Sequence, residues 1–444
     1  MSMYFFFKSV AFRTAIVVMF ACSLLAIEPV QAAEMSSKEK RIADKKAKYK
    51  SKKAAAMSQP VYKKLQKAQK FIEEKKYSEA LTELASIRSR KKRLSSYEAA
   101  QSWNVTAYVY YLQADNKQAI NAYNKVLEKS ELPAALTQST LKTVSQLYFI
   151  EEDYKKALAT IQKLIAILES PSADVYMLHG QAYYQLKNYN KALPQIKKAV
   201  ALYREQGRTP KENWLLLLRV IYHEKNDFKN MRIVLENLLE LYPKDRYLQS
   251  LAGVYSELGD THKQLTMMES LYERGYKQTS GQIINLANLY LLHGTPYKAA
   301  KVLQEGIEKS KRVKLTERNY RLLSQAWYQA REDAKSIPPM REAASLSESG
   351  ELYIRIAQAY MNLDEFDEAA KAIKQGLNKG GLKRNDTAEL MLGMALFNQK
   401  KLKQASVYFE LAQKDKRSEK TAGQWIAYVK EEIRRNDLLK AADL

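Results

Sequence analysis

The sequence predicts an all-α protein: a solenoid of about ten stacked helical hairpins, closed by one further helix. Three observations predict it. Apolar residues recur at three- and four-residue steps, as in Tyr353, Ile356, Ala357 and Tyr360, which share one helical face. A fixed grammar (small residue, aromatic three later, aromatic or Leu near a turn, then Ala) returns along most of the chain. Gly (14) and Pro (10) are scarce among 444 residues, and no sustained period-two apolar run suggests a strand.

The clearest unit is Tyr353 to Gly380. Phe366, Ala369 and Ile373 form a second stripe, and the short polar linker Asn362 to Glu365 requires the two helices to lie antiparallel. Ala357 and Ala369 are small where the helices cross, which lets the backbones approach. Such a hairpin buries both its faces only beside neighbours of its own kind.

In chain order, residues 1–32 read as an export signal, with Lys8 and Arg13 before the apolar run Ala15 to Ile27 and cleavage expected near Ala32. The expected location is therefore the periplasm. The sole cysteine, Cys22, lies inside this signal, so the mature chain has no thiol chemistry. Residues 33–58 form a basic flexible linker. Met35 to Ala56 holds nine Lys/Arg and two Asp/Glu without an apolar face. It reads either as a solvated lead-in or, through Lys38–Lys53, as a dock for an anionic envelope surface. Residues 1–56 account for +7 of the formal +24, which leaves +17 on the repeats and suits an acidic partner. Nucleic acid, the usual partner for such charge, is not expected for an exported chain.

The solenoid is placed at residues 59–417. Its small second-helix positions are Ala80, Ala119, Ala157, Ala192, Met231, Gln264, Ala300, Ser336, Ala369 and Ala405, at steps of 33 to 39 residues. The first unit, Tyr62 to Ile87, is Lys-rich and suits an N-terminal cap. Looser packing is expected at Gln264. Pro338-Pro339 is expected in the first turn of its helix. Residues 418–444 are a capping helix and tail: Trp425, Tyr428 and Val429 would cover the last face, and the final residues would fray.

Nothing in the pattern points to catalysis. His223 lacks a second His four residues on, so the zinc-protease pattern is absent, and His179 sits on a buried stripe. Neither a Gly-rich phosphate loop nor a spaced Cys/His cluster occurs, so neither enzyme activity, cofactor nor metal is expected. The informative surface is the outer face of each first helix, which would line the hollow of the stack. There the residue after the small position is Tyr108, Gln146, Gln181, Asn288, Gln325 or Gln358 in six units. Tyr111, Tyr184 and Tyr328 stand three further on, and Arg321 and Arg355 one turn earlier. Amides both donate to and accept from a peptide backbone, Tyr adds area with a polar tip, and Arg reads carboxylates. The expected ligand is a protein or an extended peptide, although Gln is also ordinary helix surface.

These residues resemble the tetratricopeptide repeat family, whose unit is about 34 residues, and Trp103 and Trp214 fall near its preferred Trp. The resemblance implies a right-handed superhelical solenoid. Longer stretches are similar to one exported group, the periplasmic tetratricopeptide proteins associated with TonB-type energy transduction. Pro296-Tyr297-Lys298-Ala299-Ala300, Gly350-Glu351-Leu352-Tyr353 and Asp415-Lys416-Arg417 carry that likeness. It implies an accessory scaffold of a TonB–ExbB–ExbD complex serving iron-siderophore or haem uptake. The alternatives are an envelope-assembly or secretion scaffold, or a basic protein docked on anionic cell-wall or lipid polymer.

Overall fold

The computed structural model describes residues 57–89 and 94–442; the expected signal and nearly all of the basic linker lie outside them. The described residues form two compact units that meet in sequence between Asp227 and Phe228. Every regular element among them is helical.

The first unit holds α1 (Gln59–Glu73), α2 (Tyr77–Arg88), α3 (Ser96–Leu112), α4 (Asn116–Leu127), α5 (Ala134–Ile150), α6 (Tyr154–Ile167), α7 (Ala173–Gln185), α8 (Tyr189–Glu205) and α9 (Glu212–Glu224). The second holds α10 (Phe228–Leu241), α11 (Asp245–Glu257), α12 (Thr261–Glu273), α13 (Ser280–Leu292), α14 (Pro296–Gln304), α15 (Glu317–Gln329), α16 (Asp333–Leu346), α17 (Glu351–Asn362), α18 (Phe366–Lys379), α19 (Asn385–Asn398), α20 (Leu402–Gln413) and α21 (Glu419–Ala442). Within each unit, helices adjacent in sequence pack on one another.

The small positions are where the backbones meet. All ten second-helix residues, from Ala80 to Ala405, are buried, Met231 and Gln264 included. Gln264, where the sequence predicts looser packing, is shielded from solvent. On two of the first helices the requirement is stricter. A Cβ on Gly180 would stand 2.4 Å from Ile196 Cγ1, and one on Gly393 would stand 2.5 Å from the Phe409 ring. Glycine is required at both by close approach.

Each hairpin turn is built alike. One residue adopts the left-handed conformation: Lys75, Ala114, Glu152, Lys187, Asn226, Gly259, Gly294, Arg331, Asp364 or Lys400. It stands five residues before the small position, or six in the turn widened by Thr295-Pro296. The next backbone N–H reaches back to the carbonyl of the aromatic or apolar residue near the end of the first helix, for example from Asp115 to Tyr110 at 2.9 Å and from Asn188 to Tyr183 at 2.8 Å. That is the Schellman closure. The Asp115, Asp153, Asn188 and Asp260 side chains then cap the following helix by accepting from its backbone N–H groups.

At several of the recurrent aromatic positions the tyrosine hydroxyl bonds to the preceding hairpin. Tyr255 on α11 donates to Glu236 on α10 at 2.8 Å, and Tyr290 on α13 donates to Glu269 on α12 at 2.8 Å. Arg341 on α16 donates to the Tyr360 hydroxyl on α17 at 2.5 Å. Burial pushes the Tyr255 phenol up to about 12, with the Glu236 carboxylate acting in the same direction.

Three details depart from the sequence reading. Pro338 and Pro339 lie in the second turn of α16, not its first, because the Arg331 turn fixes the helix start at Asp333. In α21, Ala422, Ile426 and Val429 are the buried stripe and Trp425 stacks on Phe409, 5.4 Å between centroids, as expected of the cap, but Tyr428 is 56% exposed, its ring 5.3 Å from that of Phe397 and 6.0 Å from that of Trp425. The helix also runs on to Ala442 instead of fraying after Asn436. Its start is locked by Asp386, which is paired with Arg384 and accepts from the Ser418 hydroxyl at 2.6 Å. The Arg384 guanidinium holds that carboxyl well below the usual range.

Candidate functional site

The eighth and ninth hairpins make a cleft from α15, α16 and α17. Gln325 and Tyr328 stand on the outer face of α15, and Arg355 and Gln358 on that of α17. These four residues, taken from the sequence as a groove set, line one cavity of about 230 Å³. Its floor is apolar, formed by Ile337 and Met340 of α16 with Ile356 of α17. The crossing beneath is polar but satisfied: the Ser324 hydroxyl donates to the Ser336 carbonyl at 2.7 Å.

The local physics explains the arrangement. Residues one and four after a small position point away from the hairpin partner, so successive first helices present them side by side. Tyr328 is 41% exposed, which leaves its ring available above the floor. Arg355 is exposed and makes no ion pair within the described residues. Arg321, one turn earlier on α15, is instead tied to Glu317 at 3.2 Å. Gln358 donates to Asn362 at 3.2 Å and keeps its carbonyl oxygen for a partner. The cleft thus offers an apolar floor, amide donors and acceptors, one phenol and one free cation. That set suits a short extended segment bearing an apolar side chain and a carboxylate.

The other groove residues lie elsewhere. Asn288 is exposed on α13. Gln146 and Gln181 are half-buried on α5 and α7. The Gln146 carbonyl oxygen is buried without a hydrogen bond. Tyr108 and Tyr111 are half-buried and pack on the cores of the first hairpins. Tyr184 is half-buried with its ring 6.0 Å from that of Tyr189. These three tyrosines give much of their ring surface to the fold. The sequence reading did not include Ile337 and Met340; their apolar spacing on α16 marks them as core, and they are buried while also lining the cavity.

His179 is half-buried, and its ring nitrogens have no hydrogen bond of good geometry. Burial pushes its imidazole below the usual range, and the Gln195 side chain acts against that. It is packed on Tyr183, 4.8 Å between centroids, rather than satisfied as a core histidine is expected to be. Among the described residues, no group of three or more His, Cys, Asp or Glu is placed to hold a metal ion. Among them too, no helix is long and apolar enough to cross a membrane.

Stacked hairpins with a lined cleft define the class of helical-repeat proteins, a fold that typically serves as a non-enzymatic scaffold. Comparison with known families makes the class specific. Tetratricopeptide repeat models match residues 173–206 and 354–418, and the second segment spans α17 to α20. The described residues are therefore all-helical and carry tetratricopeptide repeats. No curated protein matches it. Similar solved structures include a tetratricopeptide repeat protein from Parabacteroides merdae, at 13% identity over 60% of this chain and 99% of that one, TM-score 0.34. The MamA protein is similar at 16% identity over 40% and 94%, TM-score 0.32. YrrB, described as having an unusual peptide-binding site, is similar at 17% identity over 38% and 83%, TM-score 0.32.

Proposed function

We propose that this protein is a periplasmic, non-enzymatic scaffold that holds a protein partner by an extended segment in the α15–α17 cleft. The carrying observation is the convergence of Gln325, Tyr328, Arg355 and Gln358 on one apolar-floored cavity. The export-type N-terminus supports the location. The likeness at Pro296–Ala300, Gly350–Tyr353 and Asp415–Arg417 supports the finer reading, an accessory component of a TonB–ExbB–ExbD system for iron-siderophore or haem uptake.

The test is cross-linking in cells with an affinity-tagged full chain. Recovery of TonB, ExbD or a subunit bound to them is the expected result. Recovery of unrelated envelope proteins alone, with unchanged growth of a deletion strain on iron-limited medium, moves the protein to envelope assembly or secretion.

A further inference from the structure

The second unit carries a larger cavity, of about 930 Å³, that shares only Ile337 with the cleft described above. Two irregular helices wall it. On one side α14 ends in a π-helical turn, Glu305–Lys309, which contributes Ile307 and Glu308. On the other side α16 carries Pro338 and Pro339 inside the helix, and both line the cavity. Neither proline has an N–H, so the carbonyls of Ala334 and Lys335 lack the donor a helix would give them four residues on. Both of those residues also line the cavity.

The charges there run against the rest of the chain. Each of its two cations is engaged: Lys335 pairs with Glu332 at 2.8 Å, and Arg341 donates to the Tyr360 hydroxyl. Three carboxylates line it, Glu308, Glu342 and Glu365. Glu308 accepts from the Gln304 amide, and none of the three meets a cation within the described residues. Leu323, Trp327 and Ile307 supply apolar wall. A chain of formal net charge +24 has thus gathered acceptors and unpaired negative charge at one apolar cavity.

We infer that this cavity is a second docking site, and that its occupant is an extended peptide segment alternating basic and apolar side chains. Peptide N–H groups supply what the two prolines remove, basic side chains meet Glu342 and Glu365, and apolar ones meet the wall between them.

The test uses the full chain and two fluorescein-labelled hexapeptides, one alternating Val and Lys, the other Val and Glu, followed by anisotropy. The Val/Lys peptide is expected to bind and the Val/Glu peptide to bind at least about fivefold more weakly. Overall charge alone gives the reverse order, because the repeats are basic. Glu342→Gln with Glu365→Gln, both exposed and isosteric, is expected to weaken Val/Lys binding about fivefold with helicity unchanged. Gln325→Ala with Tyr328→Ala is expected to leave it unchanged, which separates this site from the α15–α17 cleft. Failure of the Val/Lys peptide to bind, preference for Val/Glu, or loss on the Gln325/Tyr328 pair instead of the glutamates overturns the inference.

Discussion

The backbone N–H of Ser58 donates to Oε1 of Glu98 at 3.0 Å, and the Ser58 hydroxyl donates to the same oxygen at 2.5 Å. The residue just before α1 is thereby fastened to the first turn of α3. The other carboxylate oxygen accepts from the Ser95 N–H and hydroxyl, completing a capping box.

Burial alone raises the Glu98 carboxyl, but the bonds from Ser58 and Ser95 outweigh it and bring the group down to about 2. A depressed carboxyl stabilises the fold above its unfolded value, and that stability is lost as pH falls through the folded value. The window therefore opens below the ordinary carboxylate value of 4.5 and closes near 2. Glu98→Gln is expected to lose about 1–2 kcal/mol at pH 7 and to flatten the pH dependence of urea unfolding in that window. An unchanged slope in the variant would refute the role.

Added methyl groups should act with opposite sign at different glycines. Gly393→Ala drives a Cβ into Phe409, which is fully buried, and is expected to cost about 1–3 kcal/mol. Gly253→Ala on α11 meets open space at an ordinary helical φ and is expected to gain about 0.5–1 kcal/mol. Paired thermal melts of the two variants measure both effects.

Ala114 holds φ +62°, a conformation that costs an L-residue about 1 kcal/mol. Ala114→Gly is expected to stabilise the first unit by about 0.5 kcal/mol, after allowance for glycine's greater freedom when unfolded. Chemical denaturation that shows a loss would place the strain elsewhere.

In the α15–α17 cleft, Gln325→Ala with Tyr328→Ala is expected to lower the cross-linked yield of the partner while far-ultraviolet circular dichroism stays unchanged. Both side chains are exposed, so the fold does not depend on them. Arg355→Glu should lower the yield further by placing a negative charge where a carboxylate is read. Equal yields from both variants would remove the cleft as the binding site.

The stacked-hairpin architecture was legible in the chain because it rests on volume. Residues the size of Ala, Ser or Gly let two helices cross closely, and they occupy eight of the ten positions that recur every 33 to 39 residues, Met231 and Gln264 being the other two. The turns were legible by place but not by residue type. Lys75, Ala114, Glu152 and Arg331 show no preference for a left-handed φ; the Schellman bond and the packed helices on either side impose it.

What the amino-acid order determined by itself is this period, the all-helical class, and the helix faces carrying Gln325, Tyr328, Arg355 and Gln358. What only the tertiary structure decided is which of those faces meet. Tyr111 and Tyr184 obey the same spacing as Tyr328, yet they are half-buried and it is exposed. The same holds for Ile337 and Met340, core residues by pattern and buried in the fold, which also line the cleft beside residues of α15 and α17. Spacing along a helix fixes direction, whereas a cavity depends on how the neighbouring helices pack, which the size of side chains from three helices of two hairpins sets jointly.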